Sequence, residues 1–259
     1  MKHWYIFCKT ELLIERTPEG NYIIPKGEEP PIHLEPWEAV RKVLPDDEGG
    51  ATVNAVLVNT PPLLSGSRYE MCGLRKSYYK LPHEQYLKAG KCQEILYWDF
   101  NTKFCGVCGA PMKMHTEISK RCTQCGKEVW PQLATAVIVL VRRGDEVLLV
   151  RARNFRSDFY GLVAGFVETG ETLEQAVERE VMEETGITIT NIRYFASQPW
   201  PYPCGLMVGF KADYVQGDIH LQQSELSRGG WFDRDHLPQI PEKLSIARML
   251  IDDWLMNNE

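Results

Sequence analysis

Three glutamates, Glu180, Glu183 and Glu184, stand at i, i+3 and i+4 in the run Arg179-Glu-Val-Met-Glu-Glu-Thr-Gly186. At about 100° per residue they share one side of a helix. Like charges at that spacing repel and cost stability unless a cation sits among them. Carboxylates on a rigid helix are hard oxygen ligands, suited to Mg²⁺ or Mn²⁺ bridging to a phosphate. A solvated acidic face is the common alternative. It does not explain why the acids stand beside an apolar stripe, nor why a turn with Gly165 and Gly170 leads into them.

A second set of ligands is carried by cysteines. Cys105-Gly-Val-Cys108 and Cys122-Thr-Gln-Cys125 are two C-x-x-C knuckles separated by thirteen residues. Two such knuckles bring four thiolates into tetrahedral reach of one zinc ion. Gly109 and Gly126 follow directly and let each turn leave without a Cβ clash. A redox dithiol is the competitor, but paired knuckles seldom mean that. Lys103, Lys113, Lys120, Arg121 and Lys127 give this module a weak basic face. It either touches nucleic acid or is a staple for a segment too small to fold alone, and four closed thiolate ligands favour the staple. Cys8, Cys72, Cys92 and Cys204 have no partner in sequence and read as small buried hydrophobes.

The elements that position these groups follow from periodicity and breakers. Thr172 and Gln175 form a capping box, and Gly186 can close the C-terminus of the helix. Leu173, Ala176, Val177 and Val181 form the stripe that holds it on a sheet. Strands are expected at Leu133–Val141, Glu146–Arg151, Phe159–Val167, Ile189–Ala196, Leu206–Tyr214 and Gly230–Phe232, with a last helix at Glu242–Met256. One capped helix among strands suggests an α/β sandwich with a mixed sheet. Earlier, β-like runs (Trp4–Phe7, Asn21–Ile24, Ala55–Val58) mix with a helical pattern at His83–Trp98, as an α+β domain would show. The expected organisation is an N-terminal α+β domain over 1–100, a zinc ribbon over 101–129 and a catalytic domain over 130–259. No internal repeat is visible.

The chain has 259 residues, a net charge of -6, 44% hydrophobic and 25% charged residues, ordinary for a soluble globular protein. The acidic balance argues against a dedicated nucleic-acid binder. No apolar run approaches the ~20 residues a membrane helix needs. The opening Met-Lys-His-Trp-Tyr-Ile-Phe-Cys-Lys breaks at Lys9 and Glu11 and has no cleavage site, so no signal peptide is read and the cytoplasm is expected.

The stretch from Gly165 to Ile187 resembles the Nudix box throughout: Gly, five residues, Glu171, seven residues, then Arg-Glu-apolar-x-Glu-Glu-x-Gly-apolar. The resemblance implies an α/β/α sandwich that hydrolyses a nucleoside diphosphate linked to another group. It implies Glu180 and Glu184 as the main Mg²⁺ or Mn²⁺ ligands, with Glu183 as a further ligand or water-orienting acid. The backbone carbonyl of Ala164 and the distal Glu225 are implied as additional metal contacts, and Glu171 with Arg179 as a structural ion pair. Which glutamate is the general base differs within the superfamily and stays open.

Downstream, Ser197-Gln198-Pro199-Trp200-Pro201-Tyr202-Pro203-Cys204-Gly205 alternates prolines with aromatics. Proline fixes φ and cannot continue a sheet interior, so this is a rigid loop or edge that presents rings, or a connection packed by its own aromatics. After a Nudix box it resembles the signature of the NADH pyrophosphatases, the NudC type, which also remove NAD caps from RNA. The family order of N-terminal domain, zinc ribbon and Nudix domain covers nearly the whole chain. The resemblance implies hydrolysis of NAD(H) to nicotinamide mononucleotide and AMP, a homodimer whose subunits share the pocket, and substrate contacts from Gln198 through Gly205. It adds Lys26, Arg75, Trp130, Phe166 and Ala247 as contacts, with Trp130 and Phe166 as stacking rings. Two departures stand out: Tyr202 and Gly205 take places where the family most often has Phe and Ser, and the second loses a hydroxyl. The rival readings are a Nudix enzyme for ADP-ribose or another nucleoside diphosphate derivative, and a non-catalytic Nudix-fold regulator. Regulators usually lose box glutamates, which this chain keeps.

Overall fold

The computed structural model of the protein describes residues 1–64, 68–154 and 158–257. The end expected for the third segment, 259, lies outside them. The chain forms two compact units. The first is Met1–Gln132 together with Pro201–Cys204; the second is Leu133–Trp200 with the chain from Gly205 onward.

In the first unit, β1 (Lys2–Cys8) and β2 (Glu11–Arg16) form an antiparallel hairpin. β3 (Tyr22–Ile23) pairs with β2, and β4 (Lys26–Gly27) with β1. β5 (Arg41–Lys42) lies against β6 (Thr52–Val58), β6 runs parallel to β1, and β7 (Tyr69–Gly73) is antiparallel to β2. α1 (Leu74–Ser77) and α2 (His83–Asn101) follow. β1 is buried on both faces. Tyr5 and Phe7 pack with Tyr86, Ala89, Cys92 and Leu96 of α2, while Trp4 and Ile6 pack with Ile32, Leu34 and Leu64. Burial on both faces is why β1 and β2 read as continuous apolar runs. The sequence pattern did not foresee β2 or β7, and β6 begins three residues before the expected Ala55. A three-stranded ribbon completes this unit: β8 (Met112–Thr116), β9 (Ser119–Cys122) and β10 (Glu128–Val129), with β8 and β9 forming a hairpin between the knuckles.

The second unit is a six-stranded mixed sheet. β11 (Ala134–Arg143) and β12 (Glu146–Ala152) form a hairpin, and β13 (Val163–Phe166) pairs antiparallel with β11. After α3 (Leu173–Thr185) come β14 (Thr188–Trp200), β15 (Gly205–Gln216), β16 (Leu226–Phe232) and α4 (Ile246–Met256). The order is β14-β15-β11-β12-β16, with β15 parallel to β11. Val137, Val139 and Val141 face Ala176, Val177 and Val181 of α3, while Ile138 and Leu140 face Ile246, Leu250 and Trp254 of α4. One helix covers each face, giving the expected α/β/α sandwich.

Some boundaries differ. Phe159–Val167 contributes only the short β13. The last helix starts at Ile246, not Glu242, because the Ser245 hydroxyl accepts from the Arg248 amide and caps it there. The proline–aromatic motif divides: Ser197–Trp200 ends the edge strand β14, and Pro201–Cys204 turns within the first unit.

The expectation of no internal repeat is overturned at the level of topology. Each unit has a hairpin with a two-residue connection, then a short antiparallel strand on its first strand (β4 or β13). Each next has an antiparallel pair whose second strand lies parallel to that first strand (β5–β6 or β14–β15). A last strand on the hairpin's second strand (β7 or β16) and a closing helix (α2 or α4) follow. Even the turns match, with Lys9 at φ 56° and Gly144 at φ 58°. What the first unit lacks is a counterpart of α3: residues 28–40, between β4 and β5, hold no helix. The shared feature is strand pairing, which different apolar residues satisfy equally, so the sequence does not display it.

Candidate active site and cysteine cluster

α3 begins where both halves of its capping box are made. The Gln175 amide donates to the Thr172 hydroxyl (3.2 Å), and the Thr172 amide to the Gln175 side chain (2.8 Å). It ends at Gly186, whose φ of 71° favours glycine. The carbonyls of Glu184 and Thr185 in the last turn accept from the amides of Gln222 (2.9 Å) and His220 (2.8 Å). Those bonds lay the segment carrying Glu225 along the end of α3.

On this helix Arg179 organises the acids. Its guanidinium donates to Glu171 (2.6 and 3.0 Å), Glu180 (2.8 Å), Glu183 (3.1 Å) and the Phe166 carbonyl (3.0 Å). The Glu171 carboxyl is thereby lowered to about 2, chiefly by Arg179 and then by the Glu168 amide. Glu180 lies over β13 so closely that a Cβ on Gly165 would fall 2.0 Å from its Oε1 and 2.2 Å from its Oε2. Ala164, the preceding residue, is half-buried opposite Ile138.

Glu184 differs from its neighbours. It is 4% exposed, and burial followed by the charges of Glu180, Glu225 and Glu183 pushes its carboxyl up to about 8. Burial also raises Glu180, against the pull of Arg179. Four carboxylates thus act on one another around the C-terminal half of α3, one of them buried. A hard cation relieves the repulsion that such an arrangement builds up, so the donor set and the Gly165 cradle fit a divalent metal.

The other expected contacts are dispersed. Phe166, on β13, and Trp130, after the ribbon, are 65% and 49% exposed. Lys26 is exposed on β4, and Arg75 is exposed on α1. Arg75 lines a cavity of about 400 Å³ with Gln93, Pro201, Tyr202 and Pro203. Pro199 and Pro203 are exposed, Pro201 is buried, and Trp200, Tyr202 and Cys204 are half-buried. Gln198 turns inward: its amide donates to the Leu244 carbonyl (2.8 Å) and accepts from the Ile246 amide (2.7 Å), tying β14 to the start of α4. Ala247 packs into the core under α4 at 8% exposure. A Cβ at Gly205 would lie 3.0 Å from the Trp200 carbonyl and 3.3 Å from its Cβ, a tight approach at the place where the family most often has serine.

In the ribbon, the sulfurs of Cys105, Cys108, Cys122 and Cys125 all lie within 4.8 Å of one another. The Cys122 sulfur accepts from the amides of Gln124 and Cys125, both at 3.4 Å, which lowers that thiol to about 6. Gly109 (φ 75°) and Gly126 (φ 74°) close the knuckles as expected. Cys8, Cys72 and Cys92 are buried and Cys204 is half-buried. The expected basic face loses Lys120. That side chain is 4% exposed and donates to the carbonyls of Asp99 (2.6 Å) and Thr102 (2.8 Å), capping the end of α2. Arg121 pairs with Glu128. The ribbon is therefore fastened to α2, and Cys105→Ser is expected to release zinc and lower the melting temperature. Metal analysis and calorimetry check this; a zinc-free wild type with a mutant of equal stability would refute it.

Three family models match in succession: an NADH pyrophosphatase-like rudimentary NUDIX domain over residues 1–98, an NADH pyrophosphatase zinc ribbon domain over 101–129 and a NUDIX domain over 131–253. The NAD-capped RNA hydrolase NudC of Chromobacterium violaceum is 40% identical over 205 residues, 79% of this chain and 76% of that protein. The chain belongs to the NADH pyrophosphatase family of Nudix hydrolases. Within it, the NAD-capped RNA hydrolases NudC of Pectobacterium atrosepticum and Pseudomonas aeruginosa are 47% identical over 169 residues and 46% over 173. The chain spans a little under two-thirds of their lengths, 65% and 62%, and those stretches are 65% and 66% of this chain. The rudimentary domain matched over 1–98 coincides with the sheet that repeats the Nudix topology without its helix.

Proposed function

We propose that the protein is a divalent-metal-dependent pyrophosphohydrolase. It cleaves NAD(H) into nicotinamide mononucleotide and AMP, and removes NAD caps from RNA 5′ ends. The observation that carries this reading is Glu184, a buried carboxylate on the Nudix helix that feels the charges of Glu180 and Glu183 on that helix and of Glu225 before β16. Glu180 and Glu184, with the Ala164 carbonyl and Glu225, would hold Mg²⁺ or Mn²⁺, which when bound would neutralise phosphate charge and activate water. Arg179 and Glu171 fix the helix against the β13 strand, so the carboxylates need not reorganise. Glu183 is a further ligand or orients the water, and a carboxylate of this group takes its proton. Zinc in the four-cysteine ribbon is structural. We take 1–100, 101–129 and 130–259 as the working domains, the homodimer as the working assembly and the cytoplasm as the compartment. Among the described residues no helix is long and apolar enough to cross a membrane.

Turnover of NADH, NAD⁺, ADP-ribose and NAD-capped RNA in one assay, with Mg²⁺ and with Mn²⁺, tests the proposal. Preference for ADP-ribose over every NAD substrate would replace it with the broader Nudix reading.

Trp130 and Phe166 expose large rings that packing does not require. Trp130→Ala and, separately, Phe166→Ala should each lower kcat/KM for NADH about 5- to 150-fold, the equivalent of ~1–3 kcal/mol of base stacking. ADP-ribose, which lacks the nicotinamide, should be hydrolysed at a nearly unchanged rate. Equal loss on both substrates would show that the rings serve packing.

A further inference from the structure

The second half of the proline–aromatic motif is anchored in the first unit. Tyr202 packs against the core formed by β1, β2, β6 and α2, and its hydroxyl lies 3.1 Å from that of Tyr86. One turn further along α2 stands Gly90, in the interior of a 19-residue helix. Glycine there lowers helix stability relative to alanine. Its φ is not in the left-handed region. The reason for glycine is Pro201: a Cβ at position 90 would lie 3.0 Å from the Pro201 Cγ and 3.6 Å from its Cβ. Residues four apart share a helix face, so Tyr86 and Gly90 form one continuous seat.

We infer that Tyr86 and Gly90 are positioning residues for substrate selection, seating Pro201 and Tyr202 so that the chain between Trp200 and Gly205 is held in one course. The seat gives the rudimentary N-terminal unit a task. Without the catalytic helix, its remaining helix α2 holds a segment of the specificity motif. Gln198 anchors the same motif at its other end, on the backbone of Leu244 and Ile246. Tyr202 is then a fastening of the motif. The inference rests on the proposed NAD(H) activity only in taking this motif as substrate-contacting.

The test combines kinetics on NADH with hydrogen exchange across residues 198–206 of the full chain. Gly90→Ala should keep or raise the melting temperature, as alanine favours the helix. It should raise KM for NADH roughly 5- to 10-fold with kcat within about twofold, and speed exchange in that segment. Tyr86→Phe and Tyr202→Phe should each raise KM about 3- to 10-fold, because each removes the bond between the two hydroxyls. The double variant should raise it no further. An unchanged KM and unchanged exchange in Gly90→Ala, or additive effects of the two phenylalanines, would overturn the seat. A wild type that does not hydrolyse NADH would instead refute the proposed activity. Exchange in Gly90→Ala would then decide the seat alone, with faster exchange upholding it and unchanged exchange overturning it.

Discussion

Glu184→Gln is expected to abolish turnover and, in chelator at pH 8, to make the protein more stable than wild type. Both effects have the same cause. The Glu184 carboxyl is buried among three other carboxylates and pushed up to about 8. Unfolded, it ionises near 4.5. As pH rises from 4.5 toward 8, the unfolded chain has released a proton that the folded chain keeps. The unfolded state therefore gains over that window, and by its upper end the metal-free fold has lost stability on the order of 3–5 kcal/mol. Glutamine has the same shape and no charge to lose. The variant and wild type should melt together near pH 4.5 and separate progressively up to pH 8, the variant by several degrees higher. Saturating Mg²⁺ or Mn²⁺ should reverse the order, because the cation stabilises the wild-type carboxylate and has less to bind in the variant. In turnover, loss of a hard ligand that is also a candidate base should lower kcat by a factor of roughly 10³ or more, equivalent to ~4 kcal/mol. Thermal scans at three pH values with and without metal, beside an NADH assay, check both halves. A variant that keeps half of the wild-type activity, or one that gains no stability in chelator at pH 8, would remove Glu184 from the centre of the site.

The sequence made the helix of this site readable because its instructions are local. Thr172 and Gln175 cap one end, Gly186 closes the other, and the i, i+3, i+4 glutamates lie within one and a half turns. The cysteine knuckles were readable for the same reason, each carrying its own ligands and its own left-handed glycine. The parts that stayed hidden depend on distant partners. Lys120 looks like surface until the end of α2 supplies three half-buried acceptors for it, the Asp99 and Thr102 carbonyls and the Asp99 carboxylate. Gln198 gives no sign in sequence of its two bonds to the Leu244 carbonyl and the Ile246 amide at the start of α4. The repeated topology is invisible because Tyr5 and Phe7 fill in one unit what Ile138 and Leu140 fill in the other. Gly90 did leave a signal, a lone glycine inside a helical pattern, which calls for a close approach that only the structure could name.

Gly165→Ala is expected to leave the fold intact and cut kcat/KM by two to three orders of magnitude. Gly165 lies in β13 with a φ that alanine can also adopt, so the backbone imposes no strain. The three atoms nearest the new methyl group all belong to the Glu180 carboxylate, whose Cδ and Oε1 would stand 2.0 Å away and Oε2 2.2 Å away. An ordinary contact needs about 3.4 Å or more, so the carboxylate must retreat by more than an ångström. It is the end of a flexible side chain and can do so without moving the strand. Stability should therefore fall by no more than about 1 kcal/mol, the scale of a side-chain rearrangement off its preferred rotamer. Catalysis is far less forgiving, since a displacement of ~1 Å in a positioned group commonly costs about 10²-fold. The displaced carboxylate should also weaken divalent-metal affinity, which a metal titration of the apoprotein reads without any turnover. If Glu180 is the sole route of the damage, Gly165→Ala added to Glu180→Gln should cost much less than it does in the wild type, because the two changes act on one carboxyl position. Wild-type activity in Gly165→Ala would mean that the Glu180 carboxylate does not need its place over β13, and a full additional loss in the double variant would mean that Gly165 serves the site by some other contact.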